Sequence, residues 1–406
     1  MSKQSSRTSR TKILTVTDGY PPGFKGGGPI HSVSNLVTAL NGKEFEFCVL
    51  TRDRDHTDKV PYREVTTDAW VRVGNADVLY TADLSLANLR RRVAEAMPDV
   101  IYLNSFFSRL TISILLLRRL RLVPSAAVVL APRGEFSAGA LGLQKTKKVV
   151  FMAMASRLGL YRNILWQASA KKEKDEIERI FSTFPLAIEG RLGAASRIHE
   201  ASDIPSDVPI AMPRREAVGK DPGQVSFVFV SRVSPKKNVA TAIEMVSSLK
   251  GDVVFDIYGP VDDPKYWEEC WKLTERTPEN VKIRYLGALP HNEARKKFSQ
   301  YHFFLFPTLG ENFGHVIVES LSVGCPVIVS NQTPWSDLQK KNIGWDLPLY
   351  DRPLWHSVLQ HCTDMDAETY VKMSNAAIEY MRDWLHSPKI RQDNVDLFRK
   401  ALSARA

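Results

Sequence analysis

The stretch from Phe303 to Leu338, F-F-L-F-P-T-L-G-E-N-F-G-H-V-I-V-E-S-L-S-V-G-C-P-V-I-V-S-N-Q-T-P-W-S-D-L, admits few folds. It opens with a short apolar run, Phe303 to Phe306, bounded by Pro307, which predicts a buried parallel strand. A polar turn with two glycines follows. Val316, Ile317, Leu321 and Val323 then recur at helical spacing, and Gly324 supplies the stop. Pro326 to Val329 reads as a second strand. The segment is a βαβ unit whose strand-to-helix turn holds Gly310, Glu311, Asn312, Phe313 and Gly314.

A glycine-lined turn at a helix start exposes backbone amides, and the helix dipole favours anions there. A carboxylate in that place fits a ligand that joins phosphate to a polyhydroxyl group. Glu311 would accept sugar hydroxyls while the amides take phosphate oxygens. Glu319 lies about two turns further along the helix, within reach of a ribose. The plainer alternative is a solvated helix with an acidic first turn.

The rest of the chain repeats the pattern. Strands are expected at Lys12–Asp18, Phe45–Leu50, Asp77–Thr81, Val100–Asn104, Ala126–Ala131, Ile164–Ala168 and Leu186–Glu189, with helices between them. The first strand runs into Gly26-Gly27-Gly28-Pro29, a second anion-accepting turn or simply a tight, flexible one. From Pro205 to Gln224 prolines, charges and glycine replace periodicity, as in a linker. The pattern restarts at Val225, and R-V-S-P-K-K-N follows that strand. Arg232 and Lys237 would hold two cations near a helix start, a costly placement unless an anion neutralises them. The expected division is residues 1–205, a linker 206–224, a second domain 225–385, and a last helix 386–406 after Pro388.

The run G-E-N-F-G-H-V-I-V-E-S-L-S-V-G-C-P-V-I-V-S resembles the E-x7-E signature of glycosyltransferase family 4, retaining enzymes with the GT-B fold. R-V-S-P-K-K-N is similar to that family's R-x-x-x-x-K diphosphate clamp. The resemblance implies an α/β chain of two Rossmann-like, doubly wound domains facing across a cleft, the last helix crossing back to the first. It assigns Arg232 and Lys237 to the diphosphate, Glu311 to the transferred sugar and Glu319 to the nucleotide ribose. Asn312 and the amides of Phe313, Gly314 and His315 would face the donor, and Gly27 and Gly28 would approach the diphosphate from the first domain. Where many family members carry a histidine, this chain has Pro132-Arg133-Gly134-Glu135, resembling a P-R-G branch. Arg133 and Glu135 are therefore candidates for sugar or acceptor contact, or for bracing a loop. The expected partners are a nucleoside-diphosphate sugar and a glycan or lipid-linked acceptor, with no cofactor and no metal. The side chains of Lys237, Glu311 and Glu319 are expected at a cleft surface, not in a core.

Charge and composition bear on the alternatives. The 406 residues are long for one core and comfortable for two. A net charge of +10 admits nucleic acid, anionic lipid or small anions as partners. No nucleic-acid motif accompanies the basic clusters, so no nucleic-acid partner is expected. The helix Arg109–Leu122, rich in leucine and arginine, is either a crossover helix or a cationic surface for an anionic membrane. Four scattered cysteines fit a reducing compartment, and no apolar run reaches the length of a membrane span, about 18 residues. A cytoplasmic protein, peripheral at the inner membrane face, is the expectation. Three other readings compete: a metal-dependent transferase using Asp53-Arg54-Asp55 or Asp364-Met365-Asp366, a nicotinamide dehydrogenase, and a sugar-nucleotide-binding scaffold without catalysis.

Overall fold

The computed structural model describes residues 10–56, 58–142, 145–184, 197–206, 219–290 and 293–404. The chain divides into two compact units, Met1–Asp207 with Pro388–Ala406, and Val208–Ser387.

The first unit holds, among the described residues, an eight-stranded sheet: β1 (Thr11–Val16), β2 (Phe45–Arg52), β3 (Trp70–Val73), β4 (Ala76–Thr81), β5 (Val100–Asn104), β6 (Ala127–Ala131), β7 (Leu165–Ala168) and β8 (Ile198–Glu200). They lie in the order β3-β4-β2-β1-β5-β6-β7-β8. All pairs are parallel except β3 with β4. V-I-Y-L-N of β5 and A-V-V-L-A of β6 are buried throughout, as strands covered on both faces must be. Helices Leu86–Ala96 and Arg109–Arg119 are started by Ser85 and Ser108, whose hydroxyls accept first-turn amides. The helix Pro388–Ser403 packs on the opposite sheet face. There the Phe398 ring meets those of Phe45, Phe47 and Tyr102 at 5.5, 5.7 and 5.4 Å.

The second unit holds six parallel strands: β9 (Gln224–Val230), β10 (Asp252–Tyr258), β11 (Val281–Tyr285), β12 (Phe303–Phe306), β13 (Val327–Ser330) and β14 (Gly344–Leu347). Their order, β11-β10-β9-β12-β13-β14, reverses direction between β9 and β12, as in a doubly wound sheet. Phe227, Phe229, Phe303 and Phe306 fill the core beneath that junction. Lys220 is 2% exposed, and its ammonium donates to the carbonyls of Asp221, Thr363 and Met365. It thereby satisfies the open end of the helix Arg352–Asp364.

Three strands lie where the sequence pattern predicts none: β3, a four-residue antiparallel edge strand, β8, three residues long, and β14, G-W-D-L. All three are too short to show a period. The expected strand Leu186–Glu189, most of the expected linker (207–218) and His291 at an expected helix start lie outside the described residues.

Gly344 makes β14 possible. Its φ is +145°, and an added Cβ would lie 2.0 Å from the Val327 carbonyl oxygen. Gly344→Ala should therefore cost at least about 1–3 kcal/mol, read as a lowered urea midpoint. An unchanged midpoint would show that β14 can leave the sheet at no cost.

Candidate active site

The junction of β9 and β12 is where a doubly wound sheet opens a crevice at its carboxyl edge. Two loops leave the sheet there, one from Ser231 to Asn238 and one from Pro307 to Gly314. They are tied by the main chain: the Leu309 amide donates to the Lys236 carbonyl at 2.8 Å, and the Asn238 side-chain amide to the Pro307 carbonyl at 2.9 Å. The Thr308 hydroxyl adds a bond to Lys236 at 3.2 Å. Asn238 sits at φ 62°, a left-handed position that asparagine tolerates, which turns the chain from the Pro235–Lys237 turn into the helix Val239–Val246.

This join brings Lys237 and Glu311 together. Lys237 Nζ donates to Glu311 Oε2 at 2.6 Å and lies 5.2 Å from the centre of the Phe306 ring. The two side chains are 11% and 18% exposed. Glu311 Oε1 accepts the Asn312 amide at 3.2 Å. Burial alone would push the Glu311 carboxyl up, but the Lys237 ammonium, its hydrogen bond and nearby Lys236 hold it below its ordinary value. The Glu311 carboxyl is therefore held as the carboxylate at neutral pH.

Gly314, at φ 84°, turns the loop into the helix His315–Ser322, and no side chain caps that start. The turn is braced from behind by the indole N–H of Trp335, which donates to the Phe313 carbonyl at 2.7 Å. The Phe313 ring lies 6.1 Å from that of Trp384 and 4.7 Å from that of His315. Glu319 sits on the helix at 5% exposure. Burial pushes its carboxyl up to about 8, against the opposing charge of Arg295.

Arg232 is placed differently. Its guanidinium pairs with Asp262 at 2.7 Å, both side chains about a third exposed, while Lys237 pairs with Glu311. The two clamp cations thus have separate carboxylate partners. Lys237 and Glu319, expected at a surface, are buried in their own unit, because the Phe306 side and the helix interior close over them. Trp335, Asn238, Thr308 and Asp262 were given no role from sequence. Asn238 directly before an apolar helical run was the available signal.

In the first unit, Gly27 (φ 68°) precedes the helix Gly28–Leu40. The Asp55 carboxylate fixes this loop by accepting the amides of Phe24 and Lys25 at 2.8 and 3.0 Å. Arg133 is 5% exposed, donating to Asn104 at 2.8 Å, to the Tyr102 hydroxyl at 2.6 Å and to Asp203. Glu135 accepts the Ser105 hydroxyl at 2.7 Å and the amides of Phe106 and Phe107. Both brace their own unit. The D-x-D carboxylates are likewise engaged: Asp53 by Arg54, Asp55 by the glycine loop, Asp364 by Gln360, and Asp366 by the Thr369 amide. Among the described residues no group of three or more metal-ligating side chains converges.

The Glu319 shift sets a sign. Its folded value is raised above the ordinary carboxyl value, so the stability it contributes is present at low pH and lost as pH rises through about 8. Within that window the slope approaches about 1.4 kcal/mol per pH unit. Glu319→Gln should flatten stability between about pH 5 and 8 and exceed wild type at pH 9 in urea titrations. Parallel pH profiles for the two proteins would mean Glu319 is solvated.

Comparison with known proteins places these loops in a named segment. Residues 213–345 match the family model described as Glycosyl transferases group 1. The O-antigen chain mannosyltransferase B of Escherichia coli is 28% identical over 108 residues, 26% of this chain and 28% of that protein, so the alignment spans well under half of the relative. Among solved structures, Anabaena HepE in complex with UDP and glucose superposes with a TM-score of 0.65 at 15% identity, covering 96% of this chain and 99% of that one. Sucrose-phosphate synthase from Thermosynechococcus elongatus gives 0.66 at 16%, covering 97% and 100%. These likenesses establish the fold: two Rossmann-like α/β units, as in GT-B glycosyltransferases. The candidate site, Arg232 through Glu319, lies wholly within the residues that match that family model.

Proposed function

We propose that this chain is a retaining glycosyltransferase of family 4, transferring a sugar from a nucleoside-diphosphate sugar to a glycan or lipid-linked acceptor in cell-surface polysaccharide assembly. The observation that carries the reading is the Lys237–Glu311 salt bridge, 2.6 Å long, at the β9/β12 junction, inside the matched segment. The leaving group of such a transfer is a nucleoside diphosphate, so negative charge builds on its phosphate. Lys237, fixed by Glu311 and the Phe306 ring, is a preorganised cation that needs no rearrangement to meet that charge. Arg232 would add a second. Glu311 keeps acceptor capacity beyond its bonds to Lys237 and Asn312, and that capacity is suited to sugar hydroxyls. Glu319, pushed up to about 8, would meet a ribose largely as the protonated acid, able both to donate and to accept. No nucleophile is assigned, and no metal is invoked because the cations and amides suffice for the diphosphate. The UDP and glucose of the HepE complex and the O-antigen chemistry of the mannosyltransferase support the donor and acceptor classes.

Among the described residues no helix is long and apolar enough to cross a membrane. A peripheral contact at the cytoplasmic face is supported by Leu120 and Leu158, 55% and 60% exposed, beside Arg118 and Arg119. Flotation with vesicles containing anionic lipid should recover the protein at low salt. Equal recovery with neutral vesicles would remove this part of the reading.

Lys237→Ala should lower nucleoside diphosphate release from the working donor by about two to three powers of ten. It also strands Glu311, so stability should fall, and adding Glu311→Gln should restore stability but not turnover. Wild-type turnover should persist in EDTA. Near-normal release by Lys237→Ala would remove the lysine from the site, and total loss on chelation would return attention to Asp53 and Asp55.

Glu311→Ala should leave binding of the free diphosphate nearly intact, whereas Glu319→Ala should weaken it about tenfold or more. Equal losses by calorimetry would mean that Glu311 shapes the turn and does not hold the sugar.

A further inference from the structure

The first unit has a cavity that no step above uses. It lies at the carboxyl edge of its sheet, where β2 ends at Arg52 and β4 at Thr81, and has a volume of about 420 Å³. That is the size of a small-ligand site. Its walls include Arg52, Arg54, Arg109, Asp53, Asp83 and Ser85.

The charges on this wall are not equally available. Arg54 is engaged: it grips Asp53 through two bonds, at 2.8 and 3.2 Å, and donates to the Lys59 carbonyl. Asp53 is thereby neutralised. The Asp83 carboxylate accepts the Ser85 amide at 2.9 Å. The side chains of Arg52 and Arg109, by contrast, donate no hydrogen bond to any described residue. Two arginines whose side chains make no hydrogen bond to a described residue therefore line one cavity, in which Arg54 pairs with Asp53 and Asp83 accepts one amide. Asp18, the acidic neighbour within the field of Arg52, accepts the Ser108 hydroxyl at 2.9 Å, and burial pushes its carboxyl up.

A guanidinium presents paired donors in a plane, the shape of a phosphoryl edge, and two of them suit a doubly charged group better than a single carboxylate. We propose that this cavity is a phosphoryl-binding site, taking the phosphate carried by the acceptor. The binding chemistry stands on the cavity alone; only its attribution to the acceptor rests on the glycosyltransferase reading. The phosphate could belong to a soluble sugar phosphate or to a lipid phosphate, and both present the same group.

Calorimetric titration of the intact chain with inorganic phosphate tests the site, at low and at high salt. Wild type should bind, more weakly in salt, and Arg52→Gln and Arg109→Gln should each lose about tenfold or more in affinity. Arg109 is exposed at the start of its helix, so its variant keeps the test valid if Arg52→Gln fails to fold. The surface variant Lys372→Gln, far from either proposed site in sequence and exposed, should bind phosphate as wild type does. Absence of binding, or loss in Lys237→Ala while the arginine variants keep it, overturns the proposal. Repeating the titration with a hexose phosphate in buffer and a polyprenyl phosphate in micelles identifies the source, the tighter arm naming it. Binding that survives without nucleoside diphosphate release from any donor would sink the transferase reading while leaving this site in place. Release without phosphate binding would do the reverse.

Discussion

The ion pair between Lys237 and Glu311 is the constraint on which the second unit's site depends. Each partner comes from the loop after a different strand, β9 or β12, and the sheet order reverses between those two strands. Taking two charges out of water is expensive, and the attraction repays it only when geometry is good and the remaining donors and acceptors are satisfied. Here the Asn312 amide and the Phe306 ring share that task. The surrounding bonds, Leu309 to Lys236 and Asn238 to Pro307, fix the loops so that the pair need not organise them. A fixed cation beside a fixed anion is poor at stabilising a fold.

The two glutamates of the same motif are electrostatic opposites. Glu311 has a cation in contact and is held ionised; Glu319, eight residues later, is dominated by burial and drawn toward the neutral acid. One turn-and-helix segment thus presents two carboxyl groups in different protonation states at the same pH. In general such divergence marks a site where the groups have different work to do.

Much of this was legible in the residues. The apolar runs V-S-F-V-F-V, F-F-L-F and P-V-I-V are buried strands, and glycine at 314 marks the turn. What the residues could not show was which charges meet. Lys237 and Glu311 are 74 positions apart, and nothing local distinguishes a lysine waiting for phosphate from one already holding a carboxylate. Arg232 with Asp262 is the same case. Arg133 was ambiguous between contact and brace until Asp203, 70 residues on, was found against it. Short strands such as β14 escaped because four residues, one a glycine and one an aspartate, carry no period. Local pattern therefore reveals elements, whereas long-range pairing of charges is a property of topology.

The helix Pro388–Ser403 has a consequence for how the molecule is made. Phe398 lies among Phe45, Phe47 and Tyr102, so the aromatic layer on one face of the first sheet stays incomplete until the chain's last helix arrives. Those residues leave the ribosome after the whole second unit, at about 5–20 residues per second. The unit translated first is thus the unit finished last. For about tens of seconds it must wait with that sheet face only partly covered, by the helix Gly28–Leu40, while its neighbour, whose strands and helices are contiguous in sequence, is free to fold. Vectorial synthesis and domain order run in opposite senses in this chain.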